Sequence, residues 1–211
     1  MAPDWKGDSR MTRKLAAAAV VAALAAAPAA SAAEKDGVRV GLGLGLAPFN
    51  SHTLEGVLVA PPVAIYVPID FSAQFRLEPS LGFWTYGQDR DSVPANAIYS
   101  SNVWDLGVGA FYLLPQAGGF GAYVGGRLGL VFQGAKRNLG GGASAGLSET
   151  DFYVKAAFGA EYHFAPRFSL GAEFQLVMRS YGNQKEDFQP TVDRGAISFS
   201  TDGLLFARYY F

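Results

Sequence analysis

The side chains with the clearest capacity for covalent chemistry are two histidines and an aspartate–serine pair. His52 and Asp91-Ser92 lie in polar stretches, and His163 follows Glu161 by two residues. A histidine at hydrogen-bond distance from a serine can make that serine a nucleophile for acyl transfer. Because such a set of residues arises easily by chance in loops, we predict no catalytic site from it.

The composition argues against several other kinds of site. The sequence has no cysteine, so thiolate chemistry, disulfides and a lipid anchor on cysteine are not expected. The two histidines are far apart, and no cluster has the ligand spacing of a zinc site. We therefore predict no metal and no cofactor. Without residues 1–32 the sequence carries 13 basic and 16 acidic residues, a balance that argues against nucleic-acid binding.

The N-terminus has the three parts of a secretory signal peptide. A short positive segment begins at Met11, an apolar alanine-rich run follows, and Ala30-Ser31-Ala32 offers small residues for cleavage. The apolar run is shorter than the about 20 residues that a membrane-spanning helix needs. We predict a signal peptide over residues 1–32, with an over-extended start over 1–10, and one mature domain over 33–211.

The rest of the sequence alternates with a period of two, which indicates β-strands. Every even position from Val38 to Leu46 is aliphatic, and the odd positions are Arg39 or glycine. A helix would lose about 1 kcal/mol at each of those glycines. The pattern predicts eight strands of roughly ten residues, enough for a tilted strand to cross a bilayer. These strands are predicted over residues 38–46, 57–67, 74–86, 104–114, 120–133, 152–164, 168–178 and 197–211.

The connections between the predicted strands alternate between short turns and long polar loops, which is typical of outer-membrane barrels. Aromatic residues near both ends of the apolar face would form two belts at the membrane interfaces. We predict an all-β fold, an eight-stranded antiparallel up-and-down transmembrane β-barrel with its apolar face toward lipid. The predicted turns are 68–73, 115–119 and 165–166, and the four loops, expected outside the cell, are 47–55, 87–101, 134–150 and 181–195.

The opposite face of the strands is mainly glycine with a few charges of both signs, far fewer than a soluble exterior carries. Side chains can fill the interior of an eight-stranded barrel. Six basic and five acidic residues could pair there, as buried charges require. We predict that they close the lumen. The predicted lumen charges are Arg39, Arg76, Glu78, Asp105, Arg127, Lys155, Glu161, Glu173, Arg179, Asp202 and Arg208, with His163 near Glu161.

Two segments resemble a known family. The C-terminal residues 205–211 resemble the last strand of outer-membrane barrels, which ends in Phe with an aromatic residue two positions earlier, although Phe206 replaces a frequent glycine. Residues 58–86, with Val67-Pro68-Ile69 and Arg76-Leu77-Glu78-Pro79, resemble the second hairpin of small OmpA/OmpX-type barrels. The resemblance implies a monomer in the outer membrane, surrounded by lipid and lipopolysaccharide. It also implies that the barrel-assembly machinery recognises Tyr209 and Phe211.

Three functions fit this family. We favour a non-enzymatic barrel with a structural role, or with a surface role through a ligand of its loops. A narrow pore for ions or small solutes is the first alternative. A lipid A-modifying enzyme is the second, because the lipid A palmitoyltransferase uses His, Asp and Ser near the outer rim, but a lumen with Arg76 and Glu78 would accommodate an acyl chain poorly. The charged loop residues that could bind a partner are Asp89, Arg90, Asp91, Lys136, Arg137, Lys185, Glu186 and Asp187.

Overall fold

The computed structural model describes residues 37–47, 53–54, 57–58, 63–187 and 196–211. The predicted signal peptide and His52 lie outside these residues. Within the described ranges, no helix is long and apolar enough to cross a membrane. The strands are β1 (Arg39–Leu46), β2 (Thr53–Leu54), β3 (Val57–Leu58), β4 (Val63–Tyr66), β5 (Ile69–Asp70), β6 (Phe75–Gly87), β7 (Ile98–Leu113), β8 (Phe120–Gly140), β9 (Ala143–Ala165), β10 (Phe168–Ser180), β11 (Lys185–Glu186) and β12 (Ile197–Tyr210).

Eight antiparallel wall segments close into a ring. Strands β4 and β5 act as one segment, because both pair with β1 on one side and with β6 on the other. The wall then continues through β7, β8, β9 and β10 to β12, and β12 closes it by pairing with β1. The predicted all-β antiparallel barrel of eight strands is therefore confirmed.

Alternate side chains of each strand point out of the barrel and into it. On β9, Phe152 and Phe158 lie on the outer face and are exposed, whereas Tyr153, Ala157 and Glu161 lie on the inner face and are buried. This is the inverse of a soluble protein, in which the apolar residues would be covered. An apolar outer wall of this kind is suited to lipid contact.

Strands β8 and β9 extend well beyond their predicted ends, so the prediction of an irregular loop over residues 134–150 is wrong. These residues form a continuous β-hairpin, and the turn at its tip is made by Gly140, Gly141 and Gly142, all with positive φ. Glycine adopts this left-handed conformation without steric cost. The period-two pattern in fact continues, with Ala145 and Leu147 buried. Strand β7 likewise begins at Ile98, inside the predicted loop 87–101.

The second predicted strand, 57–67, is also corrected. Val57–Leu58 pairs with Thr53–Leu54 in a separate two-stranded sheet, and the barrel wall begins at Val63. The predicted turn 68–73 contains strand β5, so its first residues belong to the wall. Pro68 has no N–H to give to the ladder and interrupts the pairing only locally.

Candidate functional site in the barrel interior and at its rim

A continuous series of ion pairs crosses the barrel interior. Arg39 binds Asp70 at 2.7 Å, Arg76 binds Asp70 at 2.6 Å, and Arg76 also binds Glu161 at 2.9 Å. Arg208 continues from Glu161 to Glu78, each at 2.7 Å. The series ends with Arg127, which lies 2.6 Å from Glu78 and 2.9 Å from Glu173. We call these residues the charge network: Arg39, Asp70, Arg76, Glu161, Arg208, Glu78, Arg127 and Glu173.

The charge network is neutral and almost entirely buried. It alternates four arginines with four carboxylates, and only Arg39, with 36% of its side chain exposed, reaches solvent substantially. Polar neighbours add further hydrogen bonds, since Arg76 donates to the Tyr210 hydroxyl and the Tyr123 hydroxyl donates to Glu173. Buried charges are tolerated when such partners surround them. The interior is therefore ordered by charge pairing.

Seven of the eleven predicted lumen charges belong to the charge network, and the other four also face inward. Lys155 lies 3.6 Å from Asp202, and Asp105 accepts a hydrogen bond from the Tyr153 hydroxyl. Arg179 binds Asp151 at 2.6 Å near the end of the barrel that carries the long connections. Arg179 thus belongs to a second polar cluster, separate from the charge network.

Sequence reasoning missed three buried carboxylates, Asp70, Glu149 and Asp151, of which the first and the last bind arginines. Asp70 was assigned to a turn, and Asp151 lies immediately before the predicted start of its strand. Both lie inward at the positions that the period-two pattern reaches when it is extended from Tyr66 or from Tyr153. Extending each strand until the alternation fails would have found both residues.

Aromatic side chains fill the space between the charges, which the glycine-rich pattern did not predict. The guanidinium of Arg208 lies 3.8 Å from the Phe206 ring centroid, and that of Arg127 lies 4.8 Å from Phe111. The negative face of an aromatic ring stabilises a cation that lies this close to it. The buried aromatic and aliphatic cluster around the charge network contains Tyr66, Phe111, Tyr123, Ala157, Leu204 and Phe206.

The inward glycines give these rings their space. Gly159 of β9 is paired in register with Tyr123 of β8 on one side and with Glu173 of β10 on the other. The Tyr123 ring crosses Gly159 to reach Glu173. Tyr153 leans in the same way across Gly129 toward Asp105. A glycine beside a large side chain thus lets that side chain lie along the barrel wall.

A cavity of about 500 Å³ opens at the end of the barrel that carries the short turns. Arg39, Asp70 and Glu161 line it, together with Gln74 and Gln116 of the turns. The charge network therefore forms one wall of the cavity. His163 lies nearby, with its Nε2 atom 3.8 Å from Glu161 and its ring 6.0 Å from that of Tyr210.

The residues considered for covalent chemistry are not arranged as a catalytic site where the structure describes them. Ser92 ends a 3₁₀ turn, and its hydroxyl donates to the Asp89 carbonyl at 2.6 Å. The neighbouring Asp91 carboxylate lies 3.4 Å from Arg90. Among the described residues, no three His, Cys, Asp or Glu side chains are grouped so that they could hold a metal ion.

At the opposite end of the barrel, the β8–β9 hairpin is tied to two neighbouring loops. Arg90 donates to the Gly142 carbonyl at the hairpin tip, and the Asn138 side chain donates to the carbonyls of Arg90 and Val93. Backbone bonds also join Asn138 to Asn96 and Ala97. Because Asn138 is buried, it acts as the central hydrogen-bonding residue of this contact.

The second loop binds the other edge of the hairpin. Strand β11 pairs with Leu147 and Ser148 of β9, and Glu186 accepts a hydrogen bond from Arg137 at 3.2 Å. Asp187 accepts one from the Gly146 N–H at 2.9 Å. We call this assembly, residues 88–97, 134–149 and 181–187, the rim platform. Arg137 and Glu186, predicted as loop charges, are thus partly buried partners within it.

The sequence matches the family model described as "Outer membrane protein beta-barrel domain" over residues 16–200. The chain belongs to this outer-membrane β-barrel family. This confirms the predicted resemblance to small outer-membrane barrels and places the protein in the cell outer membrane. The family comprises surface and structural barrel proteins. No curated protein matches the sequence.

Solved structures similar to this chain include several bacterial outer-membrane proteins. A major outer membrane protein from Thermus thermophilus is 13% identical, with a TM-score of 0.55 over 82% of this chain and 99% of that one. Neisserial surface protein A is 14% identical, with a TM-score of 0.46 over 83% and 97%. Ail of Yersinia pestis is 12% identical, with a TM-score of 0.45 over 82% and 95%. The first of these supports the barrel fold and nothing more specific.

The terminal aromatic residues of this outer-membrane barrel, Tyr209 and Phe211, contact each other at the end of the last strand. Tyr209 lies on the outer face with 42% exposure, and its ring meets that of Phe211 edge-on at 5.6 Å. The Phe211 N–H donates to the Val40 carbonyl, so the C-terminal residue joins the last strand to the first. Recognition of these two residues by the assembly machinery remains a prediction.

Replacing Asn138 by alanine is expected to loosen the rim platform without opening the barrel. The substitution removes the two hydrogen bonds that the Asn138 side chain donates to carbonyls of loop 88–97, each worth about 1 kcal/mol in net stability. We expect faster proteolytic cleavage within that loop and an unchanged urea midpoint for the barrel. Exposed Asn183 provides the control, because Asn183→Ala should change neither measurement. A cleavage rate in Asn138→Ala equal to that of the wild type would contradict the tethering role.

Proposed function

We propose that this outer-membrane barrel is a non-enzymatic surface protein with a sealed lumen that presents the rim platform outside the cell. The observation that carries the proposal is the charge network, which joins residues of seven wall segments across the interior. Apolar side chains outside the barrel contact lipid, and the platform stands in the solvent beyond it. The expected partners are lipid and lipopolysaccharide around a monomer, and an extracellular ligand at the platform.

The charge network favours a sealed lumen over the pore alternative. A column of water or ions would have to separate pairs whose partners lie 2.6–2.9 Å apart, such as Arg127 with Glu78 and with Glu173. Separation of a buried pair leaves charges without compensation, at a cost of several kcal/mol. The aromatic rings around Arg127 and Arg208 also occupy the space between the charges.

The rim platform favours a surface role over a purely structural one. Its hairpin extends beyond the outer aromatic residues Phe132 and Phe152 to a tip at Gly141, and two loops are bonded to it. Loops held in one conformation lose less entropy when they bind a partner. A barrel that served only as a structural support would have no need of such ordered loops.

The enzymatic alternative is less well supported. Ser92 and Asp91 already bond within their own turn, and the interior charges at Arg76 and Glu78 are unsuitable neighbours for an acyl chain. A nucleophile also needs a base within hydrogen-bond reach. His52, the candidate base, lies outside the described residues.

Planar-bilayer recording tests the sealed lumen directly. The refolded mature protein is expected to be silent. Arg76→Ala removes the link between Asp70 and Glu161, and it should raise conductance only if the charge network is the sole seal. Arg167, exposed in a short turn, gives the matched control Arg167→Ala, which should remain silent. Steady channels in the wild-type protein would replace the sealed-barrel proposal with the pore alternative.

A further inference from the structure

The barrel interior contains a second group of buried residues that the charge network does not use. Val103 of β7, Val131 of β8, Tyr153 of β9 and Val177 of β10 are each at most 4% exposed and pack together. Trp84 of β6 packs against them. Five successive wall segments therefore contribute to one mainly apolar group, which we call the apolar layer.

The apolar layer lies between the charge network and the long-loop end of the barrel. On β8, Arg127 is nearer the short turns and Val131 nearer the long loops, and on β10 Glu173 and Val177 follow the same order. Beyond the layer, Asp151 binds Arg179 and accepts a hydrogen bond from Gln133. The interior thus passes from charged to apolar and back to charged along its length.

Polar groups also lie immediately on the short-turn side of the layer. Lys155 is 3.6 Å from Asp202, and the Tyr153 hydroxyl donates to Asp105. The hydroxyl of Tyr153 therefore points toward the charges while its ring belongs to the layer. An ion that entered from the long-loop end would meet the Asp151–Arg179 pair, then apolar surface, and only afterwards another polar site.

From this arrangement we propose that the barrel has two closures in series, the charge network and the apolar layer, each of which blocks ions by itself. Apolar constrictions exclude ions because water does not fill them readily. Valine and aromatic surface offers an ion no replacement for its hydration shell. The inference rests on the proposed sealed lumen and adds that charge pairing is not the only seal.

The two closures differ in what would weaken them. Acid or high salt acts on charges and is therefore able to loosen the charge network. Neither condition changes the apolar character of Val103, Val131 and Val177. A barrel with both closures would remain impermeable under conditions that disturb its ion pairs.

Paired substitutions separate the two closures in planar-bilayer recordings of the mature protein. Arg127→Ala with Glu173→Ala opens the charge network and leaves Glu78 paired with Arg208 at 2.7 Å. Val131→Ser with Val177→Ser makes the apolar layer smaller and polar. We expect each double variant to stay silent and the quadruple variant to conduct at least about tenfold above either of them, because only then are both closures open.

A matched control places the same valine change on the lipid-facing wall. Val124 of β8 and Val154 of β9 are 48% and 40% exposed, and Val124→Ser with Val154→Ser should add no conductance to the Arg127→Ala/Glu173→Ala variant. Folding of every variant is checked by heat-dependent electrophoretic mobility. If the quadruple variant does not fold, Val131→Ser alone replaces the valine pair in the same background.

Three results would overturn the two-closure inference while leaving the wild-type seal intact. Arg127→Ala/Glu173→Ala could conduct as strongly as the quadruple variant, which would show that the layer blocks nothing. Val131→Ser/Val177→Ser could conduct by itself, which would show that the charge network does not seal alone. A folded quadruple variant as silent as the wild type would show that another barrier exists. Conductance of the wild type, in contrast, would refute the sealed-lumen proposal itself.

Discussion

Arg127→Met is expected to lower the free energy of unfolding by about 3–5 kcal/mol, the usual cost of removing one partner from a buried ion pair. Arg127 is 4% exposed and binds both Glu78 and Glu173. Glu78 keeps Arg208, but Glu173 would retain only its neutral donors Tyr123 and Gln175. Urea unfolding of the barrel in lipid vesicles measures the change.

Two comparisons identify the uncompensated charge as the cause. Arg39 also pairs with a network carboxylate, but it is partly exposed and Asp70 retains Arg76, so Arg39→Met should cost only about 0–1 kcal/mol. Adding Glu173→Gln to Arg127→Met should recover part of the lost stability, because the carboxylate is then neutral. Equal losses in Arg39→Met and Arg127→Met would show that burial and pairing do not govern this site.

The period-two pattern predicted the wall of the barrel well because it reports the environment of each strand face directly. Lipid favours apolar residues at outward positions. The alternation of apolar and polar residues therefore persists along β6 to β10 and β12 with few exceptions. It failed between Val57 and Asp70, where Val57–Leu58 belongs to a separate two-stranded sheet and Pro68 interrupts the ladder. The start of β9 was predicted too late, because the alternation continues beyond the apolar band with polar outward residues such as Ser148 and Thr150.

Alternation could place the interior charges on the correct face, but it could not pair them. Arg76 of β6 meets Glu161 of β9, 85 residues later, because both strands curve around the same narrow interior. Such a contact depends on how far each strand is shifted along its neighbour, and no local residue pattern encodes that shift. The apolar layer was missed for a related reason, since Val103, Val131 and Val177 resemble ordinary strand residues.

The inward glycines illustrate how a pattern can be recognised while its purpose stays hidden. In the sequence they indicated only which face of each strand points away from the apolar side. In the structure each has a particular neighbour, and Gly159 is the clearest example because the Tyr123 ring lies directly over it. A Cβ atom at position 159 would overlap the Tyr123 hydroxyl and Cζ, and would lie 2.7 Å from Cε2.

Gly159→Ala is therefore expected to destabilise the barrel by about 1–3 kcal/mol, the usual cost of overpacking. Tyr123 has little freedom to move, because its hydroxyl binds Glu173 at 2.7 Å and its ring contacts Phe111 edge-on at 5.1 Å. Gly87 has open space where an alanine Cβ would lie, so Gly87→Ala should change stability by no more than about 0.5 kcal/mol. In a double-mutant cycle, Tyr123→Leu should cost less in the Gly159→Ala background than in the wild type, since the smaller side chain relieves the overlap. Additive costs in that cycle, or a Gly159→Ala barrel as stable as the wild type, would mean that the glycine is not there to accommodate the tyrosine.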